Sequence, residues 1–159
     1  MVYAGIATGI VLVLVMAGLI AWRMDGSKDP TPGTDAGTNA VKASWARTPV
    51  SRDGLAARTG VRIKWVAVTG GGGLLDLRYQ VVDAELANAL HDPANPPALV
   101  DESTGLVIRS LLMDHSHSGA FKTGVTYPLV FEDPGNWVHT GSKVTVLLGD
   151  AEVDHVTVQ

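Results

Sequence analysis

Cysteine is absent from all 159 residues. No disulfide can staple the fold, and no thiolate can act as nucleophile, zinc ligand or iron–sulfur ligand. That absence is compatible with an oxidising compartment but does not establish one. Charge is missing from residues 1–22, MVYAGIATGIVLVLVMAGLIAW. Large apolar side chains are missing from residues 25–40, DGSKDPTPGTDAGTNA. The formal charge of −4 is mild, and Lys and Arg are scattered along the chain. No nucleic-acid partner is expected from such a pattern.

Catalytic signatures are lacking as well. No G-x-S-x-G, H-E-x-x-H or paired-carboxylate pattern occurs. The run Thr69-Gly70-Gly71-Gly72-Gly73 invites a phosphate-loop reading. A P-loop needs G-x-x-x-x-G-K-[ST] between a strand and a helix. Here Leu74-Leu75 and another strand follow, with no Lys. The run reads as a hairpin turn. Asp114, His115, Ser116 and His117 are of the types found in triads, but adjacency in sequence does not bring a base within reach of a nucleophile. No enzymatic activity is expected.

What is present begins with the first segment. A helix of 22 residues covers about 30 Å, the hydrocarbon thickness of a bilayer. Tyr3 and Trp22 sit at its two ends, where amphipathic rings prefer the headgroup level. Its start carries no Lys or Arg and the apolar run is long, unlike a cleaved signal peptide. Residues 1–24 therefore read as a retained transmembrane anchor. Gly5-Ile6-Ala7-Thr8-Gly9 gives it a small-xxx-small face on which another helix could pack through Gly5 and Gly9. Arg23 and Lys28 follow the span, which by the positive-inside rule puts the remainder in the cytoplasm. The Pro, Thr, Gly and Asp of the linker are typical of extracytoplasmic stalks. The reading adopted is a single-pass protein of the plasma or inner membrane with its C-terminal domain outside.

Residues 25–60 read as linker, because they bury too little apolar surface to offset chain entropy. Trp45, Val50 and Leu55 are too sparse for a core. They leave 41–60 either as plain linker or as a docking segment, with Trp45 set against a partner or against the domain's own flank. The folded domain is expected over 61–159. VRIKWVAVT and LLDLRYQVV alternate and form a hairpin, with Leu75, Leu77, Tyr79 and Val81 facing a core beside Trp65. Asp83 caps a short helix, in which Leu86 and Leu90 share a face. Pro128 in VTYPLVFE implies an edge or a bulge. Asp133-Pro134-Gly135-Asn136 is a turn. About seven short strands with regular turns predict a mainly β fold: an antiparallel sandwich of immunoglobulin-like or cupredoxin-like type.

One loop carries candidate chemistry. In Met113-Asp114-His115-Ser116-His117, side chains of an extended chain alternate, so Met113, His115 and His117 project to one side. A thioether with two imidazoles suits copper, above all Cu(I). The alternative is a solvated contact loop. His91, His139 and His155 stand alone in their segments.

An anchor, a Thr/Pro/Gly linker, a small sandwich and a Met/His loop together resemble two groups. One is the extracytoplasmic copper-handling proteins with cupredoxin-like sandwiches. The other is the small accessory subunits of membrane copper enzymes, such as particulate-type monooxygenases and haem–copper oxidases. The resemblance is architectural and reaches individual residues only at Met113, His115 and His117. The chain departs from both groups in having no Cys for a blue-copper centre and no paired His-x-Met motifs. It implies a non-catalytic accessory subunit bound to the transmembrane helices of a larger complex, with a membrane-anchored copper metallochaperone as the alternative.

Overall fold

The computed structural model describes residues 45–113 and 119–159. The expected anchor, with Gly5 and Gly9, and the linker through residue 44 lie outside the described residues. Among the described residues no helix is long and apolar enough to cross a membrane. Period-two patterning produces eight strands there: β1 (Thr48–Pro49), β2 (Val61–Thr69), β3 (Leu74–Val81), β4 (Ala98–Asp101), β5 (Val107–Ile108), β6 (Thr126–Glu132), β7 (Lys143–Leu148) and β8 (Ala151–Thr157). Two short helices, α1 (Gly54–Thr59) and α2 (Ala84–Ala87), accompany them.

The strands make a five-stranded sheet, β1-β8-β7-β4-β5, and a three-stranded sheet, β2-β3-β6. The expectation of a mainly β domain with two sheets is met. Its pairing is not purely antiparallel, because β1 runs parallel to β8 and Val66 bridges Val158 in parallel. That bridge joins the sheets at one margin, where the N–H groups of Val68 and Gln159 donate at 2.9 Å to the carbonyls of Gln159 and Val66. At the other margin Leu111 bridges Phe131, Leu112 N–H donates to Val130 O, and Glu132 N–H donates to Ser110 O. Each sheet thus lends hydrogen bonds to the other, which covers the edges that an open sandwich exposes. Residues 130 and 132 direct their backbone groups to this margin. Pro128, of the same parity, points its missing donor the same way and leaves the β3 ladder intact.

A bulge lets β8 serve both sheets. Between the pairs Val144–Val156 and Val146–Val153, Thr145 opposes both Asp154 and His155. His155 takes φ +61°. A bulge bends its strand and sharpens the twist, and here it carries β8 from β7 across to β2.

In β3 the alternation is complete, with Leu75, Leu77 and Val81 at 0 % and Tyr79 at 1 % exposure. Trp65 does not join them. Ile63 pairs with Tyr79 and Trp65 with Arg78, so Lys64 is the extra residue of a second bulge. Trp65 is turned outward and is 39 % exposed. The glycine run forms a 3-10 turn at Gly70–Gly72 closing the β2–β3 hairpin, as expected. Its φ values of +59°, +68° and +104° are ones that only glycine adopts freely. Asp83 caps α2, accepting from Glu85 and Leu86 N–H, but Leu86 stays exposed and Ala87 is the residue that is buried. The helix is a single turn, too short to present an i,i+4 face.

Residues before 61, in the stretch read from the sequence as linker or docking segment, pack on the domain. Leu55 of α1 is 0 % exposed and sits in the main core. Thr48 and Val50 N–H donate to Asp150 O and Glu152 O. Arg47 N–H donates to Glu152 Oε2, and its guanidinium donates to the carbonyls of Gly149 and Pro96. Arg58 pairs with Asp150. Three sparse apolar residues suffice here because the sheets supply the rest of the packing surface.

Candidate functional site

Of the residues expected to bind copper, Met113 alone is described, and it is 58 % exposed. His115 and His117 lie outside the described residues, as do Gly5 and Gly9. Met113 follows Leu112, itself 49 % exposed, at the point where the ladder to β6 ends. Two adjacent apolar side chains therefore stand out at this margin. The other histidines lie in separate places. His91 stacks on Phe121 with ring centroids 4.5 Å apart, inside an aromatic group with Tyr79 and Tyr127. His139 N–H donates to Ser142 Oγ in a turn. Among the described residues no group of three or more His, Asp or Glu is placed to hold a metal ion.

Trp45, expected as a docking residue, is turned onto its own domain. It is 9 % exposed and packs with Ala98, Val100 and Leu147, with Val107 alongside. The own-flank alternative is the one realised.

The β8 bulge gathers the most polar groups. Glu102 Oε1 accepts from His155 N–H at 2.6 Å, and Glu102 Oε2 lies 2.8 Å from His155 Nδ1. Thr145 Oγ1 lies within hydrogen-bond range of Asp154 Oδ1 (2.8 Å) and Glu102 Oε1 (3.1 Å). A carboxylate that orients an imidazole is half of a triad. The hydroxyl of Thr145 beside it belongs to a residue 3 % exposed and lies within hydrogen-bond range of two carboxylates. The cluster instead holds His155 in its left-handed conformation and so fixes the bend of β8. Next to it, burial pushes the Asp101 carboxyl upward, but hydrogen bonds from Thr104 and Ser103 outweigh this and leave it below the usual carboxylate range.

The β2 bulge builds a second surface. Lys64 and Trp65 both face outward beside Arg62, and all three are exposed. Arg52 Nη2 donates to the carbonyls of Ile63 (3.4 Å) and Lys64 (3.0 Å), which brings its charge to the bulge. Arg78, across from Trp65, pairs with Asp76 at 2.8 Å. Among the described residues no ion pair involves Arg62 or Lys64. Sequence reasoning missed this corner, although a signal was present. The apolar phase runs on odd residues at Val61 and Ile63, then on even ones at Val66 and Val68, and a strand changes phase only through a bulge.

Comparison of the chain with family models, curated proteins and solved structures returns no match.

Proposed function

We propose that this chain is a non-catalytic, single-pass accessory subunit. Its β domain packs on the extracytoplasmic part of a membrane protein complex, with a copper or redox enzyme as the candidate. Fold likeness to immunoglobulin-like or cupredoxin-like sandwiches is part of the same proposal. The observation that supports it is the strap of residues 45–59. Trp45 and Arg47 fasten the end of the tether to the five-stranded sheet, so the domain follows whatever the anchor binds. A coil of 20 residues, the length read from the sequence for the stretch 25–44, reaches about 25 Å, which suits an accessory domain tethered through a helix with a Gly5/Gly9 packing face. Leu112 and Met113 offer adjacent apolar side chains at a sheet margin, and Met is enriched in interface cores.

Detergent purification at native expression tests this. A stoichiometric membrane partner is expected, and migration as a lone monomer refutes the reading. A cysteine introduced into the linker has no native thiol to compete with it. Labelling by an impermeant reagent on intact cells places the domain outside, and protection reverses the localisation.

A second reading, a copper metallochaperone, is favoured by the exposure of Met113 at the entrance to the His115 and His117 loop. Titration with Cu(I) against a chromogenic chelator should then show one tightly held ion. His115→Ala/His117→Ala should lose it. Affinity should fall as pH drops through about 6.5, because imidazoles ligate only when neutral. Equally poor competition by both proteins ends this reading.

A further inference from the structure

We propose that the corner of β2 formed by Arg52, Arg62, Lys64 and Trp65 docks on anionic phospholipid headgroups of the bilayer in which the chain is anchored. The inference rests on the anchor reading above for proximity and on the bulge for its chemistry.

Without the bulge, Trp65 would continue the inward phase of Val61 and Ile63. The extra residue turns it out, 39 % exposed, with Lys64 beside it. Arg62 faces outward on the neighbouring rung, opposite Gln80. Arg52 reaches the same place by donating to the bulge carbonyls. Of the acids on the same elements, Asp76 is paired with Arg78, and Asp53 is next to Arg52 in the chain. The corner is therefore locally basic on a chain whose overall charge is −4.

An outward indole ringed by cations matches the membrane surface on two counts. Indole prefers the headgroup level, and Lys and Arg are drawn to anionic phosphate there. Guanidinium groups also meet phosphate oxygens in a forked, charge-assisted geometry. A bilayer is favoured over a protein because every copy has one within reach. Residues 25–44, fully extended, span up to about 70 Å, so the tether allows either face of the domain to meet the membrane. Binding by the corner is then intramolecular, and even weak attraction is effective.

The full chain, with Gln80→Cys carrying an environment-sensitive fluorophore, is reconstituted into nanodiscs containing spin-labelled lipid. Gln80 lies on the Arg62 rung. Ser103→Cys, in the β4–β5 turn of the other sheet, is the control. Quenching at position 80 but not 103 is expected in discs that include phosphatidylglycerol. It should be lost in phosphatidylcholine alone, in high salt and in Arg62→Glu/Lys64→Glu, and kept in Arg62→Lys/Lys64→Arg. Absence of quenching at position 80 in phosphatidylglycerol discs, or equal quenching at 80 and 103, overturns the inference while leaving the anchor standing. So does shielding of position 80 only when a protein partner co-purifies. If the chain does not enter discs at all, the anchor reading fails separately. Sedimentation with phosphatidylglycerol vesicles then decides the corner: binding abolished by the double Glu variant sustains it, and no binding ends it. Each charge removed should weaken vesicle binding about fivefold.

Discussion

The five-stranded sheet is covered on both faces; the three-stranded sheet is covered on one. In β4 all four residues are buried, and in β7 every residue after Lys143 is. Leu99, Val144, Val146 and Leu148 face the main core, while Ala98, Val100 and Leu147 face Trp45. In β3, by contrast, buried and half-buried residues alternate without exception. The two texts differ for that reason: ALV and VLL are runs, whereas LLDLRYQV alternates. A continuous apolar strand needs a second cover. Here that cover is a tryptophan lying far away in sequence, in a stretch that looks like linker.

The largest test of this contrast is Leu77→Ala. Leu77 is 0 % exposed at the centre of the three-stranded sheet's inner face. Truncating a buried Leu costs about 2–5 kcal/mol, and about 4 is expected here, against a total stability of about 5–15. Gln80→Ala, on the opposite face, should cost almost nothing. Denaturant unfolding of the two variants measures the difference, and equal losses would break the register.

Next comes the cover itself. Trp45→Ala should cost about 3 kcal/mol, the low end for a buried Trp, because its ring lies on the outside of a sheet. A neutral result would mean that the five-stranded sheet is open like its neighbour, and would return Trp45 to the role of a partner contact.

The legible parts of the fold were those in which one segment settles its own environment. The β3 register, the glycine hairpin and the Asp83 cap each depend on residues within a few positions of one another. The N-terminal boundary was illegible because Trp45 gains its burial from Ala98, Val100 and Leu147, far along the chain, and Leu55 from a core to which both sheets contribute. Apolar content within the segment says nothing of that. Trp65 was misplaced for a different reason. Alternation was extended through Ile63 to Trp65, when the shift to Val66 and Val68 already required an extra residue between them. The β2 corner escaped notice because its charges are dispersed in sequence: Arg52 reaches the bulge only through the backbone of another element.

A smaller effect separates the two sheets by pH. Asp101 ends β4 at 1 % exposure, and its carboxylate is stabilised by the hydroxyls of Ser103 (2.7 Å) and Thr104 (2.6 Å). Its folded pKa lies below the ordinary value of about 3.9. Its contribution to stability is therefore full above that unfolded value and is lost as pH falls through the folded one. Thermal unfolding between neutral and strongly acid pH should show this loss, and Asp101→Asn should flatten that acid limb. An unchanged limb would assign acid sensitivity to other carboxylates.

The smallest effect is expected at Trp65, where its smallness is the point. A tryptophan in a β-strand paired with core residues would ordinarily be structural, and removing it would cost as much as removing Trp45. The bulge at Lys64 takes it out of that role. With 39 % exposure and Arg78 as its cross-strand neighbour, Trp65→Ser should change stability by no more than about 0.5 kcal/mol, as for surface positions generally. A loss above about 1.5 kcal/mol would show that the outer face of the three-stranded sheet is a second core surface, and the contrast between the sheets would collapse. A neutral result leaves a large aromatic side chain held outward by a backbone irregularity with no stability to account for it. The reason for its position then lies in what it contacts outside the domain.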